Sequence, residues 1–229
     1  HGNPKFVLGN SDESAAGSEF IFKTGEDLLS AYDNSIDFTI DANAKQSAFR
    51  MQIGGKINSF ADNTKYANFG SASRGFDSIE AGSVVANIHY KFFAKKLIVS
   101  GDFTYNTSLT NEKRTSSFNF IDLKDGEVAV SIGGKLSKSE NYKINLDFTN
   151  ANLGEGESYT LIGAGSVEGF DLTDYTKDFN LIGIDAADIK SLAWSGNSLV
   201  LTTAVPEPAA IAAVLGAIAL GFAAYRRRK

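Results

Sequence analysis

Apolar and polar residues alternate along most of the chain between residues 20 and 204. Ser35-Ile36-Asp37-Phe38-Thr39-Ile40-Asp41 puts Ile36, Phe38 and Ile40 on one side, and Lys143-Ile144-Asn145-Leu146-Asp147-Phe148-Thr149 does the same with Ile144, Leu146 and Phe148. A period of two marks a strand with one buried face. The pattern predicts further strands over 48–58, 83–92, 96–105, 116–123, 127–136, 158–163, 178–184 and 198–203. Turn residues separate them at Gly101-Asp102, Asp125-Gly126, Asn152-Leu153-Gly154 and Gly196-Asn197. Only Glu26–Tyr32 and Ala186–Leu192 carry a short helical spacing, so the expected class is all-β.

A faint repeat runs through the strands. Met51-Gln52-Ile53-Gly54-Gly55-Lys56-Ile57 parallels Val130-Ser131-Ile132-Gly133-Gly134-Lys135-Leu136, and each follows a Phe-rich strand with an Ile-Asp step, Ile40-Asp41 and Ile121-Asp122. Residues 81–101 between them read as a third unit, with a spacing of roughly 40 residues, in the range of stacked repeats. Chance recurrence in a glycine-rich β protein explains the same match. Polar connections at Ala61–Gly75 and Asn106–Thr115 suit loops projecting from an elongated β-solenoid, in which each coil buries its inner face on the next. The alternative is an antiparallel β-sandwich, two hairpin-built sheets packed face to face.

The alternation stops at Val205. There follow Pro206-Glu207-Pro208, an uncharged run from Ala209 to Tyr225, and Arg226-Arg227-Arg228-Lys229. As a helix, 209–225 would extend about 25 Å at 1.5 Å per residue, slightly less than the hydrocarbon core. Ala204 and Val205 add apolar length on one side, and the arginines snorkel on the other. Pro206 and Pro208 fit a helix start, where a missing N–H costs nothing, and Glu207 sits near the positive end of the helix dipole. Excess cations stay on the cytoplasmic side, so Arg226, Arg227, Arg228 and Lys229 form a basic stop and residues 1–205 lie across the membrane. Ala209, Ala213, Ala217 and Gly221 recur every four residues. That stripe either seats a neighbouring helix or follows from alanine-rich composition.

Pro-Glu-Pro, an apolar span and a terminal arginine cluster, in that order, resemble the PEP-CTERM sorting signal of Gram-negative bacteria. The resemblance covers about a tenth of the chain. It implies that Pro206, Glu207 and Pro208 are recognised by exosortase, a membrane-embedded cysteine protease. It also implies that the cargo is processed on its way to the cell surface or an exopolysaccharide matrix. A second likeness lies upstream, in Gly156-Glu157-Ser158-Tyr159-Thr160-Leu161-Ile162, Gly169-Phe170, Leu192-Ala193-Trp194 and Gly196-Asn197-Ser198-Leu199-Val200-Leu201. This resembles autotransporter-like, β-strand-repeat cargo carrying the same signal, for which a parallel β-helix body is expected. The repeats here are few and degenerate. The expected organisation is a polar N-terminal segment (1–19), a β-rich ectodomain (20–204) and the sorting signal with its transmembrane helix (205–229).

Composition narrows the chemistry. Seventeen Phe and eight Tyr supply a bulky core. The chain has no cysteine, which excludes disulfides, thiolate metal sites and a Cys nucleophile. Without the four terminal cations and Glu207, residues 1–205 hold 18 basic against 26 acidic residues, a balance of −8. An acidic, alternating surface argues against nucleic acid as a partner. The chain starts at His1 with no secretory leader, from which a processed or truncated start is expected.

Candidate catalytic residues are few. Alternation places His89 opposite Ile88 and Tyr90, as a surface residue of a strand, and His1 and His89 make no zinc motif. Asp122-Leu123-Lys124-Asp125-Gly126-Glu127 gathers three carboxylates that suit either weak calcium binding or, with Lys124 inside, a solvated turn. Gly163–Gly169 lacks the dinucleotide-loop spacing and a following helix, and no Gly-x-Ser-x-Gly elbow occurs. Trp194, Tyr159 and Tyr175 are either core aromatics or sugar-stacking platforms. No pair of carboxylates is singled out for glycoside hydrolysis, which depends on separation in space. The expectation is a non-enzymatic surface or matrix protein without cofactors. Its expected partners are the membrane, an exosortase-type protease and exopolysaccharide. The alternative is a carbohydrate-binding or carbohydrate-active domain on the same anchor.

Overall fold

The computed structural model describes residues 5–28, 36–57, 66–86, 89–105, 116–139 and 143–205. In chain order the strands are β1 (Lys5–Leu8), β2 (Glu19–Thr24), β3 (Ile36–Ile40), β4 (Ala48–Ile57), β5 (Tyr66–Phe69), β6 (Phe76–Ala86), β7 (His89–Val99) and β8 (Phe103–Tyr105). They continue with β9 (Ser117–Ile121), β10 (Val128–Lys138), β11 (Ile144–Asn150), β12 (Ser158–Glu168), β13 (Phe179–Ile182), β14 (Ile189–Ser195) and β15 (Ser198–Thr203).

These strands stack in three parallel ladders. β1, β3, β5, the start of β7, β9, β11 and β13 pair in that order. β2, β4, β6, the end of β7, β10 and β12 form the second ladder. The far ends of β4, β6, β10 and β12, with β8, form the third. The chain visits the ladders in rotation, so each parallel pair receives its crossover from the other sides of the coil. The result is a β-solenoid of about five turns. The antiparallel sandwich is thereby excluded: among the described strands only β12–β15 and β14–β15 pair antiparallel.

In-register stacking turns the sequence alternation into continuous columns. Phe6, Phe38, Phe69, Phe92, Phe118, Leu146 and Leu181 are successive partners in the first ladder. Their rings lie 4.9, 5.6, 5.1 and 6.2 Å apart from Phe6 to Phe118. Strands in a sheet are spaced about 4.8 Å apart, which falls within the centroid range of offset-stacked rings, so identical positions on neighbouring rungs stack face to face. Phe22, Met51, Ile79, Leu97, Val130 and Ile162 make the second column. Ile57, Val84, Phe103 and Leu136 make the third.

The repeated Ile-Gly-Gly-Lys is a structural corner. Ile53, Ala81, Val99 and Ile132 occupy one column, after which the backbone turns from the second ladder into the third. Backbones nearly touch there: a Cβ on Gly82 would sit 2.7 Å from the Gly54 carbonyl oxygen, and one on Gly133 2.4 Å from that of Ser100. Aspartates fix the register at the same level. The Lys56 N–H donates to Asp27 Oδ1 at 2.7 Å, and the Lys135 N–H to Asp102 Oδ1 at 2.8 Å. The repeat is therefore real, but its rung-to-rung spacing varies, from Ser78↔Lys96 to Leu97↔Val130, rather than holding near 40 residues.

The corner between the first and second ladders uses other devices. Asp122 (φ 47) and Asn152 (φ 51) adopt the left-handed conformation on successive turns, and Asn152 Nδ2 donates to Asp122 Oδ1 at 2.5 Å. Arg74 crosses one rung to donate to the carbonyls of Asp41 (3.1 Å), Ala44 (3.0 Å) and Gln46 (3.1 Å), with its guanidinium 4.7 Å from the Phe49 ring centre.

Several boundaries differ from the expectation. The strand expected over 83–92 straddles the break between β6 and β7, and β5 lies inside the stretch expected to be a loop. The helical spacing at 186–192 belongs to a 3-10 turn (Ala186–Asp188) and β14. A register shift between Ile189 and Ser191 moves apolar residues to intervals of three and four, which mimic a helix. Residues 1–19, read as a polar lead-in, contribute β1, paired along its length with β3.

Candidate functional site

The last turn is built differently from the rest. Gly196 (φ 59) and Asn197 reverse the chain between Ser195 and Ser198, so β15 runs antiparallel on both β14 and β12. Leu199 and Leu201 are fully buried beneath it. Trp194 of β14 packs against Phe170 at 5.7 Å and Phe179 at 6.2 Å, and these two rings stack at 5.7 Å. The three close the core from below.

An ion pair lies inside this cap. Lys138 Nζ approaches Asp178 Oδ1 at 2.7 Å, both side chains are 4% exposed, and the ammonium is 5.4 Å from the Phe170 ring centre. Asp178 Oδ2 accepts the Asp171 N–H at 2.6 Å. Asp171 in turn pairs with Lys177 and accepts from Thr173 and the Asp174 N–H. The Lys177 bond first, then the Thr173 hydroxyl and N–H, hold its carboxyl far below the usual carboxylate range.

Strand β15 ends beside this cap. Thr203 exchanges bonds with Glu157: its N–H donates to the Glu157 carbonyl at 3.0 Å, and its hydroxyl oxygen accepts the Glu157 N–H at 3.0 Å. The Ala204 N–H donates to the Asp188 carbonyl at 2.8 Å. Val205, next in line, is 65% exposed. A hollow of about 830 Å³ opens alongside, lined among others by Phe148, Leu153, Asp185, Asp188 and Val205. At its rim the Gly154 N–H donates to the Tyr159 hydroxyl at 2.7 Å, and that hydroxyl donates to Glu157. Burial first, then Glu157, push the Tyr159 phenol up.

Pro206, Glu207, Pro208, Arg226, Arg227, Arg228 and Lys229 lie outside the described residues, as do His1 and the apolar run between the motif and the cations. Among the described residues no helix is long and apolar enough to cross a membrane. His89 lies in β7 opposite Tyr66. The carboxylates at 122–127 diverge: Asp122 meets Lys95 at 3.4 Å and Asn152, while Glu127 meets Lys96 at 2.9 Å. Among the described residues no three His, Cys, Asp or Glu side chains gather around a common point. Tyr159 is buried, and Tyr175 and Trp194 are half-buried against the core.

The outer face of the second ladder carries a shallow groove of about 480 Å³, lined by Arg50, Asp77, Glu80, Lys95, Lys96 and Glu127 among others. Its charges are mutually engaged: Arg50 with Glu19, Lys95 with Asp77 at 3.1 Å, Lys96 with Glu127. The Lys96 bond holds the Glu127 carboxyl below its ordinary range. The pair Lys138–Asp178 and the Arg74 clamp had no sequence signal, because each joins positions separated by whole turns. A search with the chain finds no matching family model, no matching characterised protein and no matching solved structure.

Proposed function

We propose that the chain is an exported cell-surface or extracellular-matrix protein with a structural or adhesive role, sorted and processed through its C-terminal Pro-Glu-Pro signal. The observation that carries this reading is the order of features after β15: Pro206-Glu207-Pro208, an uncharged run to Tyr225 and four terminal cations follow in sequence on a solenoid that is hydrogen-bonded as far as Ala204. A short motif adjoining a folded coil can be read by a protease without unfolding that coil. An all-β body without cysteine suits a load-bearing role outside the cell, since its ladders need no redox chemistry to form. In the native host, loss of the processing protease leaves the protein membrane-held and uncleaved. Unchanged release without that protease refutes the reading.

The second reading is a carbohydrate-binding or carbohydrate-active domain, favoured by the groove beside Arg50, Lys95 and Lys96. A general acid in a glycosidase needs a raised carboxyl pKa, whereas Glu127 is shifted the other way. Glycan-array binding and hydrolysis assays on the protein separate the two, and turnover of any polysaccharide defeats the structural role.

A further inference from the structure

We infer that the C-terminal end of the solenoid rests against a zwitterionic lipid surface, with Leu172, Ile182 and Val205 as its apolar contacts. This deepens the anchored reading above and rests on it. The first ground is chain length. Ala204 is fixed to Asp188, and the uncharged run begins at Ala209. Five residues reach at most about 17 Å when fully extended. A span entering a bilayer at Ala209 therefore holds the cap close to the headgroups, with no spacer to lift it away.

The second ground is what that end presents. Leu172 (48% exposed), Ile182 (40%) and Val205 stand out on the last turn, which also carries half-buried Phe170, Tyr175 and Trp194. Exposed apolar side chains on a turn that also carries Tyr and Trp are the composition that settles at a membrane–water boundary. The third ground is charge. With Asp178 buried against Lys138 and Asp171 paired with Lys177, the other charges of residues 169–205 are Asp174, Asp185 and Asp188 against Lys190. An acidic end is repelled by anionic lipid and tolerated by zwitterionic headgroups. The opposite end of the molecule lies far off. Seven strand-to-strand steps separate β2 from β14, about 34 Å at 4.8 Å per step.

The absence of cysteine makes the test clean, since one introduced thiol gives one label. The full chain is reconstituted in phosphatidylcholine–phosphatidylethanolamine vesicles with a nitroxide at Leu172→Cys or Ile182→Cys, and at Val7→Cys as the distant control. Flotation reports anchoring, and collision with oxygen against a water-soluble nickel chelate reports lipid contact. The expected result is co-flotation with an oxygen-to-nickel ratio several-fold higher at 172 and 182 than at 7. Adding anionic phosphatidylglycerol lowers the ratio at 172 and 182 without releasing the protein. Equal ratios at all three positions in floating protein overturn the docking while leaving the anchor intact. Shielding from both probes signals a protein partner and also overturns it. Failure to float rejects the anchor, and the docking with it.

Discussion

The two ends of the solenoid face the same physical problem and meet it differently. A stacked coil buries its core only if another rung lies on each side. At the N-terminal end, nothing among the described residues pairs with the outer edges of β1 and β2. Phe6 is 43% exposed there, while Phe38, its partner one rung up in the same column, is 1% exposed. At the C-terminal end a reversed hairpin, an aromatic trio and a buried ion pair cover the last turn. Burial here is a property of the neighbouring rung and not of the residue, since both positions are phenylalanines on the same inner face.

Substitutions at the two ends test that contrast. The largest effect is expected at the cap's ion pair. Asp178→Ala leaves the Lys138 ammonium buried and alone, costing about 3–5 kcal/mol in chemical denaturation. The double change Lys138→Met with Asp178→Leu recovers most of that loss. An equal loss in both variants would mean that the pair is not buried as described. Next come matched truncations at the two ends. Leu201→Ala, at a fully buried position, lowers stability by about 2–5 kcal/mol. Phe6→Ala, at the open rung, should cost less than Phe38→Ala by at least about 1 kcal/mol, because the exposed ring has less transfer free energy to lose.

The glycine corner gives a smaller version of the same comparison. Gly133→Ala drives a methyl into the Ser100 carbonyl and is expected to cost about 1–3 kcal/mol. Gly25 stands at the open end of that corner, and among the described residues beyond its chain neighbours no atom lies within 4 Å of where its Cβ would be. Gly25→Ala should be near neutral, or stabilising by up to about 1 kcal/mol through the unfolded chain. The smallest effect is electrostatic. Asp171 has a folded-state pKa depressed by Lys177 and Thr173. Its contribution is therefore present above the unfolded value of about 3.9 and is lost as pH falls through the depressed folded value. Asp171→Asn flattens the acid limb of a melting-temperature series below pH 4. An unchanged limb would show that the exposed pair is inert.

The fold was legible where one rung repeats the chemistry of another. Strands at 35–41, 143–149 and 198–203 stood out by clean alternation, and the corner by Ile-Gly-Gly-Lys. Legibility failed where the code is relational. β7 runs from the first ladder into the second without a break, so its residues carry no turn signal between them. β14 hides behind a bulge that gives it a helical spacing. β5 is four residues long and sits within a largely polar stretch of sequence. The cap's pair, Lys138 with Asp178, is set by the pitch of the coil, which alternation does not encode. The proposed sorting signal was legible for the opposite reason, being a linear motif that needs no fold to be read.

If a self-contained solenoid is carried to the surface by the segment that follows Ala204, removing that segment should separate folding from destination. The direct measurement compares the intact chain with one ending at Ala204, both made in the native host, by cell fractionation and by labelling of whole cells. The shortened protein is expected to keep the same thermal unfolding transition yet to be lost from the membrane and the cell surface. A shortened protein that reaches the same fraction and the same labelling as the intact chain would show that the segment does not carry it there.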